Sequence, residues 1–128
     1  MNPPKKRILL VEDDRHLREI YVDQLKKAQF LVDEFDNGKE ALAAIKANKY
    51  DLILLDIMMP GLNGVALMKH MKSDARLRDI PVYFLTNLEK HGILEEGMRM
   101  GANGYLIKSD YTPYQLVEKI QEIVEEEY

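Results

Sequence analysis

Cysteine is absent from this 128-residue chain, which excludes a disulfide framework and a thiolate metal site and suits a reducing cytoplasm. No apolar run approaches the roughly 20 residues that a membrane-spanning helix needs, so no membrane partner is expected. The opening MNPPKKR leads into a strand-length run ending in acids, without the apolar region or small-residue cleavage site of a signal peptide. A large excess of one charge sign is missing too: 18 Lys and Arg stand against 22 Asp and Glu, and the formal net charge of −4 argues against general affinity for nucleic acid or anionic lipid. The lone basic cluster, Lys5-Lys6-Arg7, is read as a solvated approach to a strand. Internal repeats, low-complexity linkers and a second set of elements are all missing. A single domain over 1–128 is expected, its core at about 7–124, long enough to bury roughly two-thirds of the unfolded surface.

What is present is a strict alternation. Strands are predicted at Lys6–Val11, Leu31–Phe35, Leu52–Leu55, Pro81–Leu85 and Tyr105–Ile107. Three of these (RILLV, DLILL, PVYFL) are almost continuously apolar, as central strands covered on both faces should be. The second and fifth are shorter or more mixed and read as edges. Between strands the apolar spacing changes to three and four. The stripes are Leu17, Ile20, Tyr21, Leu25 and Ala28; Ala41, Leu42 and Ile45; Val65, Met68 and Met71; Ile93, Leu94, Gly97, Met98 and Gly101; and Leu116, Val117, Ile120, Ile123 and Val124. Asn37 with Glu40, and Thr112 with Pro113 and Gln115, mark two helix starts. Asn63-Gly64 follows the Pro60-Gly61 turn and supplies a third cap. Alternating strands and helices predict an α/β fold, a parallel sheet with helices on both faces, whose ligands bind beyond the carboxyl ends of the strands.

Those ends carry the chemistry. Glu12-Asp13-Asp14 follow the first strand, Asp56 the third, Thr86 the fourth and Lys108 the fifth. Two carboxylates about 4 Å apart repel by ~4 kcal/mol at an effective dielectric of 20. Crowding of that kind does not serve stability alone, and a hard divalent cation relieves it. Lys108 and the cation would neutralise a phosphoryl group while Thr86 donates to one of its oxygens. Asp56 is then the natural nucleophile, since a carboxylate can carry phosphate as an acyl phosphate.

The blocks LLVEDD, LLDIMMPGLNG, YFLTN and GANGYLIK, in that order and spacing from about Arg7 to Val124, resemble the receiver domain of two-component response regulators. The resemblance implies a flavodoxin-like, doubly wound sheet of order 2-1-3-4-5 with five helices. It makes Asp56 the phosphoacceptor for a histidine kinase or a histidine phosphotransfer protein. It assigns Mg²⁺, with Mn²⁺ as a substitute, to Glu12, Asp13, Asp56 and the backbone carbonyl of Met58, with Asp13 preferred to Glu12 as direct ligand. Lys108 matches the lysine that contacts phosphoryl oxygens, and Thr86 and Tyr105 match the pair whose coupled rotation reports phosphorylation. Downstream proteins would dock on the face formed by the fourth helix, the Tyr105 strand and the last helix. With only Glu125–Tyr128 left after Val124, a stand-alone cytoplasmic module is expected, catalysing nothing beyond its own phosphorylation and dephosphorylation.

The chain departs from the family where Ser109, rather than a cis proline, follows Lys108. A trans bond and a differently shaped loop before Thr112 are expected. Apolar Met58 and Leu88 cannot orient water, which predicts a long-lived phosphoryl group. An aspartate-nucleophile phosphatase of the haloacid-dehalogenase type is disfavoured because Asp56 is followed by Ile57-Met58 rather than a second acid two residues on. A flavodoxin is disfavoured because no Ser/Thr/Gly-rich phosphate loop follows the first strand. A degenerate receiver is disfavoured by the intact acidic set. His16, His70 and His91 share no ligand spacing.

Overall fold

The computed structural model describes residues 4–59, 61–87 and 91–127, apart from the side chains of His91 and Glu127. Strands and helices alternate as β1 (Arg7–Val11), α1 (Arg15–Lys27), β2 (Leu31–Phe35), α2 (Gly38–Ala47), β3 (Leu52–Asp56), α3 (Gly64–Lys72), β4 (Val82–Thr86), α4 (His91–Arg99), β5 (Gly104–Ile107) and α5 (Pro113–Glu127). A 3-10 turn at Lys108–Asp110 joins the last strand to the last helix. All pairings are parallel, and the sheet order is β2-β1-β3-β4-β5, with β2 and β5 as the edges. This is the flavodoxin-like arrangement expected from the sequence.

Period-two alternation sorts the apolar strand residues between two cores. Leu9, Val11, Ile53, Leu55, Val82 and Phe84 face α2, α3 and α4. Ile8, Leu10, Leu52, Leu54, Tyr83 and Leu85 face α1 and α5. Because both faces are covered, β3 and β4 are buried along their whole length. The close fit of α4 depends on Gly97, where a Cβ would collide with the Phe84 ring.

Capping fixes where the helices begin. The side chains of Asp14, Asn37 and Asn63 accept from the amides of Leu17, Glu40 and Ala66 at 3.0, 2.8 and 2.9 Å. Thr112 and Gln115 bond reciprocally at 3.2 and 3.0 Å, the predicted capping box of α5.

Several sequence expectations need correction. Lys6 and Pro81 lie outside β1 and β4, while Asp56 and Thr86 are the last residues of their strands rather than the first beyond them. Pro81 has no amide to donate and only accepts, from Ile53 N at 2.9 Å. Ala28 and Gly101 lie beyond the helices whose stripes they were read into, Gly101 with φ of +106° just past α4. Arg7 is not merely solvated. It is half-buried and its guanidinium sits 2.6 Å from Asp33. Among the described residues no helix is long and apolar enough to cross a membrane.

Candidate functional site

Parallel pairing brings the carboxyl ends of β1, β3, β4 and β5 to one edge of the sheet. A cavity of about 450 Å³ opens there, and Glu12, Asp13, Asp56, Met58, Thr86 and Lys108 line it. Every expected acid, hydroxyl and amine is therefore gathered in one place. Tyr105 is not. It stands 43% exposed on the edge strand, beside a separate groove with Tyr83, Met98 and Lys119.

Glu12, Asp56 and Thr86 are the buried polar residues of the described chain, at 1, 6 and 5% exposure. Lys108 Nζ reaches across the cavity to Glu12 Oε1 at 2.5 Å and to Asp56 Oδ2 at 3.2 Å. Met58 N donates to Asp56 Oδ1 at 3.1 Å, and Asp14 N donates to Glu12 Oε2 at 3.2 Å. Carboxylate oxygens of Glu12, Asp13 and Asp56 lie within 4.8 Å of one another. An all-oxygen, acid-rich set of that size fits a hard divalent cation such as Mg²⁺.

The surroundings bias these groups. Burial above all, then the adjoining Glu12, pushes the Asp56 carboxyl from 3.8 up to about 7, against the opposing pull of Lys108 and the Met58 amide. For Lys108, burial disfavours the charge, but the bonds to Glu12 and Asp56 outweigh it and hold the ammonium above its usual range. Tyr21 on α1 is affected as well. Burial raises its phenol to about 12, with Lys108 opposing and Glu12, Asp56 and Asp14 adding to the rise.

The bond between Lys108 and Ser109 is trans, as expected. Among the described residues no peptide bond is cis, and the segment after β5 winds into a 3-10 turn closed by Tyr111 N to Lys108 O at 3.4 Å. Met58 lines the cavity and is 45% exposed. Pro60 and Leu88, also weighed from the sequence, lie outside the described residues. His16 and His70 are exposed on different helices, and the side chain of His91 lies outside the described residues.

Sequence reasoning passed over Arg18. Its Nη1 donates to the Glu12 carbonyl at 2.8 Å and its Nε to Glu34 Oε1 at 3.2 Å. The available signal was directional: helical side chains lean toward the amino terminus, so an arginine in the first turn reaches the loop before the helix.

The chain belongs to the response regulator receiver domain family, whose model matches residues 8–121. It is 34% identical over 119 residues to the phosphate regulon transcriptional regulatory protein PhoB of Pseudomonas aeruginosa, covering 93% of this chain and 52% of that protein. It is 33% identical over 120 residues to the chemotaxis protein CheY-3 of Vibrio cholerae, covering 93% of this chain and 92% of that one. The chain thus spans about half the length of PhoB and nearly all of CheY-3. Among solved structures it resembles the phosphorylated cyanobacterial phytochrome response regulator RcpA, with a TM-score of 0.86, 27% identity and coverage of 98% and 97%. It also resembles the chemotaxis response regulator CheY4 of Vibrio cholerae, with a TM-score of 0.84, 27% identity and coverage of 94% and 99%. It is a signalling module of the two-component kind.

Proposed function

We propose that Asp56 accepts a phosphoryl group from the phosphohistidine of a histidine kinase or phosphotransfer protein, and that the resulting acyl phosphate switches the contacts this domain makes. The observation that carries the proposal is the charge imbalance of the cavity, where the Glu12, Asp13 and Asp56 oxygens lie within 4.8 Å of one another and a single ammonium, Lys108, bridges two of them. A buried acid cluster with a surplus of negative charge is built for a cation and for a ligand that comes with it.

Glu12, Asp13, Asp56 and the Met58 carbonyl would hold Mg²⁺, or Mn²⁺ in its place, with Asp13 as the direct acidic ligand. When bound, the cation supplies charge stabilisation for transfer and favours the ionised Asp56. Asp56 attacks phosphorus through one carboxylate oxygen as the P–N bond to the donor histidine breaks, and the imidazole leaves with that electron pair. Lys108 moves from its carboxylate partners to the phosphoryl oxygens, and Thr86 donates its hydroxyl to another. Tyr105, which starts out exposed, follows Thr86 as the switch. It signals through the face of α4, β5 and α5 to a downstream protein, or the phosphoryl group is relayed onward. In this reading the domain catalyses only its own phosphorylation and dephosphorylation, in the cytoplasm. Apolar Met58 at the rim supports slow hydrolysis.

Intact-mass measurement after incubation with Mg²⁺ and acetyl phosphate tests the proposal. One acid-labile phosphate is expected on the wild type and none on Asp56→Asn. Equal labelling of both proteins, or labelling that persists in EDTA, rejects it.

A further inference from the structure

Asp13 is exposed, and among the described residues no side-chain hydrogen bond or ion pair holds its carboxylate. Its aim is therefore set by the backbone that carries it. The peptide joining Glu12 to Asp13 is a rigid plane, so fixing the Glu12 carbonyl fixes the amide and Cα of Asp13 and leaves only its φ and side-chain torsions to aim the carboxylate. That carbonyl precedes the Asp14 cap and receives no helical bond, because the first turn of α1 closes on Asp14 O, from Arg18 N at 2.9 Å.

Arg18 supplies the missing donor. Its Nη1 lies 2.8 Å from Glu12 O, while its Nε lies 3.2 Å from Glu34 Oε1 on the edge strand. The guanidinium is largely enclosed, its side chain 14% exposed. One residue beyond Glu34, the Phe35 carbonyl accepts from Glu12 N at 3.0 Å. Glu12 is thus pinned through its amide by the end of β2, and through its carbonyl by an arginine that is itself braced on β2. A fork of fixed geometry suits this double contact, with Nε and Nη1 each serving one acceptor, whereas a lysine has all its donors on one nitrogen at the end of a flexible stem.

We propose that Arg18 is a positioning residue for cation binding, holding the Glu12–Asp13 peptide so that both carboxylates point into the cavity. This rests on the cation site described under the proposed function. Residues that orient metal ligands in this way typically change metal affinity by roughly 10–100-fold when removed.

The test is calorimetric titration of the unphosphorylated protein with Mg²⁺, alongside the Mg²⁺ dependence of the initial rate of acetyl phosphate labelling. Arg18→Met keeps the apolar stem and removes the donors. Its Mg²⁺ dissociation constant is expected to rise about tenfold, while its labelling rate at saturating Mg²⁺ stays within twofold of wild type. Arg18→Lys, with all its donors on a single nitrogen, is expected to lie between the two. A folded Arg18→Met with affinity within twofold of wild type overturns the proposal, as does a loss of saturating rate at unchanged affinity. If circular dichroism shows that Arg18→Met does not fold, Arg18→Lys decides alone, and an unchanged dissociation constant overturns the proposal. Asp13→Asn separates the two readings. If the wild type takes up no Mg²⁺, or Asp13→Asn binds it equally well, the cation site itself is wrong and the role of Arg18 falls with it. An Arg18 variant that binds normally beside a defective Asp13→Asn removes only the positioning role.

Discussion

The two ends of the sheet handle charge in opposite ways. At the amino end, Arg7 Nη2 meets Asp33 Oδ2 at 2.6 Å, Tyr50 donates its hydroxyl to the same oxygen at 2.6 Å, and Arg7 N donates to Asp51 at 2.8 Å. Lys6 approaches Asp51 at 4.0 Å, and the Arg7 guanidinium lies 5.1 Å from the centre of the Tyr50 ring. Each carboxylate there has a cation, and the pairs stay partly in water. At the carboxyl end, Glu12, Asp13 and Asp56 crowd within 4.8 Å of one another, Lys108 pairs with Glu12 and Asp56 but not with Asp13 among the described residues, and two of the three acids are buried. Burial raises a titrating group at each end, Tyr50 to about 12, where the bond to Asp33 adds to it, and Asp56 to about 7. A tyrosine so shifted is simply kept neutral, as it would be anyway. An aspartate so shifted is brought to the edge of ionisation at neutral pH. Charge is balanced at the end without a candidate site, and the surplus of buried negative charge at the other end is what the proposed cation would offset.

The sharpest way to break this contrast is to remove Lys108. Lys108→Ala leaves Glu12 and Asp56 buried without their shared partner, and a loss of about 3 kcal/mol is expected in metal-free buffer at pH 8. Added Mg²⁺ should restore part of it in urea melts, and a loss below about 1 kcal/mol, within the range of a surface pair, would mean the cluster is not strained.

Asp56→Asn should act in the other direction. With its folded value near 7 against 3.8 for the free side chain, Asp56 holds a proton in the folded state that the unfolded state has released. Folding takes up that proton between these values, so wild-type stability falls as pH rises through the window, and the penalty is complete above 7. Asparagine escapes it, and a gain of about 2 kcal/mol is expected at pH 8, shrinking toward zero near pH 4. Urea midpoints measured across pH check the sign.

Asp33→Asn, the matching change at the amino end, should destabilise by about 1–2 kcal/mol, since it weakens the bonds from Arg7 and Tyr50. It should leave acetyl phosphate labelling unchanged. Stabilisation by Asp33→Asn would make the two ends alike. The smallest effect belongs to Lys6→Ala. Its contact with Asp51 is long and both side chains are two-fifths exposed, so a change within about 0.5 kcal/mol is expected from thermal melts.

What could be read without coordinates follows the same division. Leu52–Leu55 ending on Asp56 announced a covered strand delivering an acid to its rim, because burial on both faces leaves a continuous apolar run. Asn37 and Thr112 were legible as caps because capping is local and spans three residues. Glu12, Thr86 and Lys108 could be grouped because parallel topology sends all strand ends to one edge. Arg7 and Arg18 could not be read. The partner of Arg7 is fixed by the β1–β2 register, and its own neighbours Lys5 and Lys6 suggested only a solvated run. Arg18 fell on the polar side of its helix, and only the coordinates show that side turned toward Glu12 and Glu34.

The reach of Lys108 has a temporal consequence. Its two ion pairs join residues separated by 96 and 52 positions along the chain. During synthesis Asp56 leaves the ribosome well before the lysine that completes its pocket, and a partner so distant in sequence is found late in folding. A nascent receiver should therefore stay deaf to its kinase until its final strand has docked, so that competence to be signalled arrives together with the finished fold.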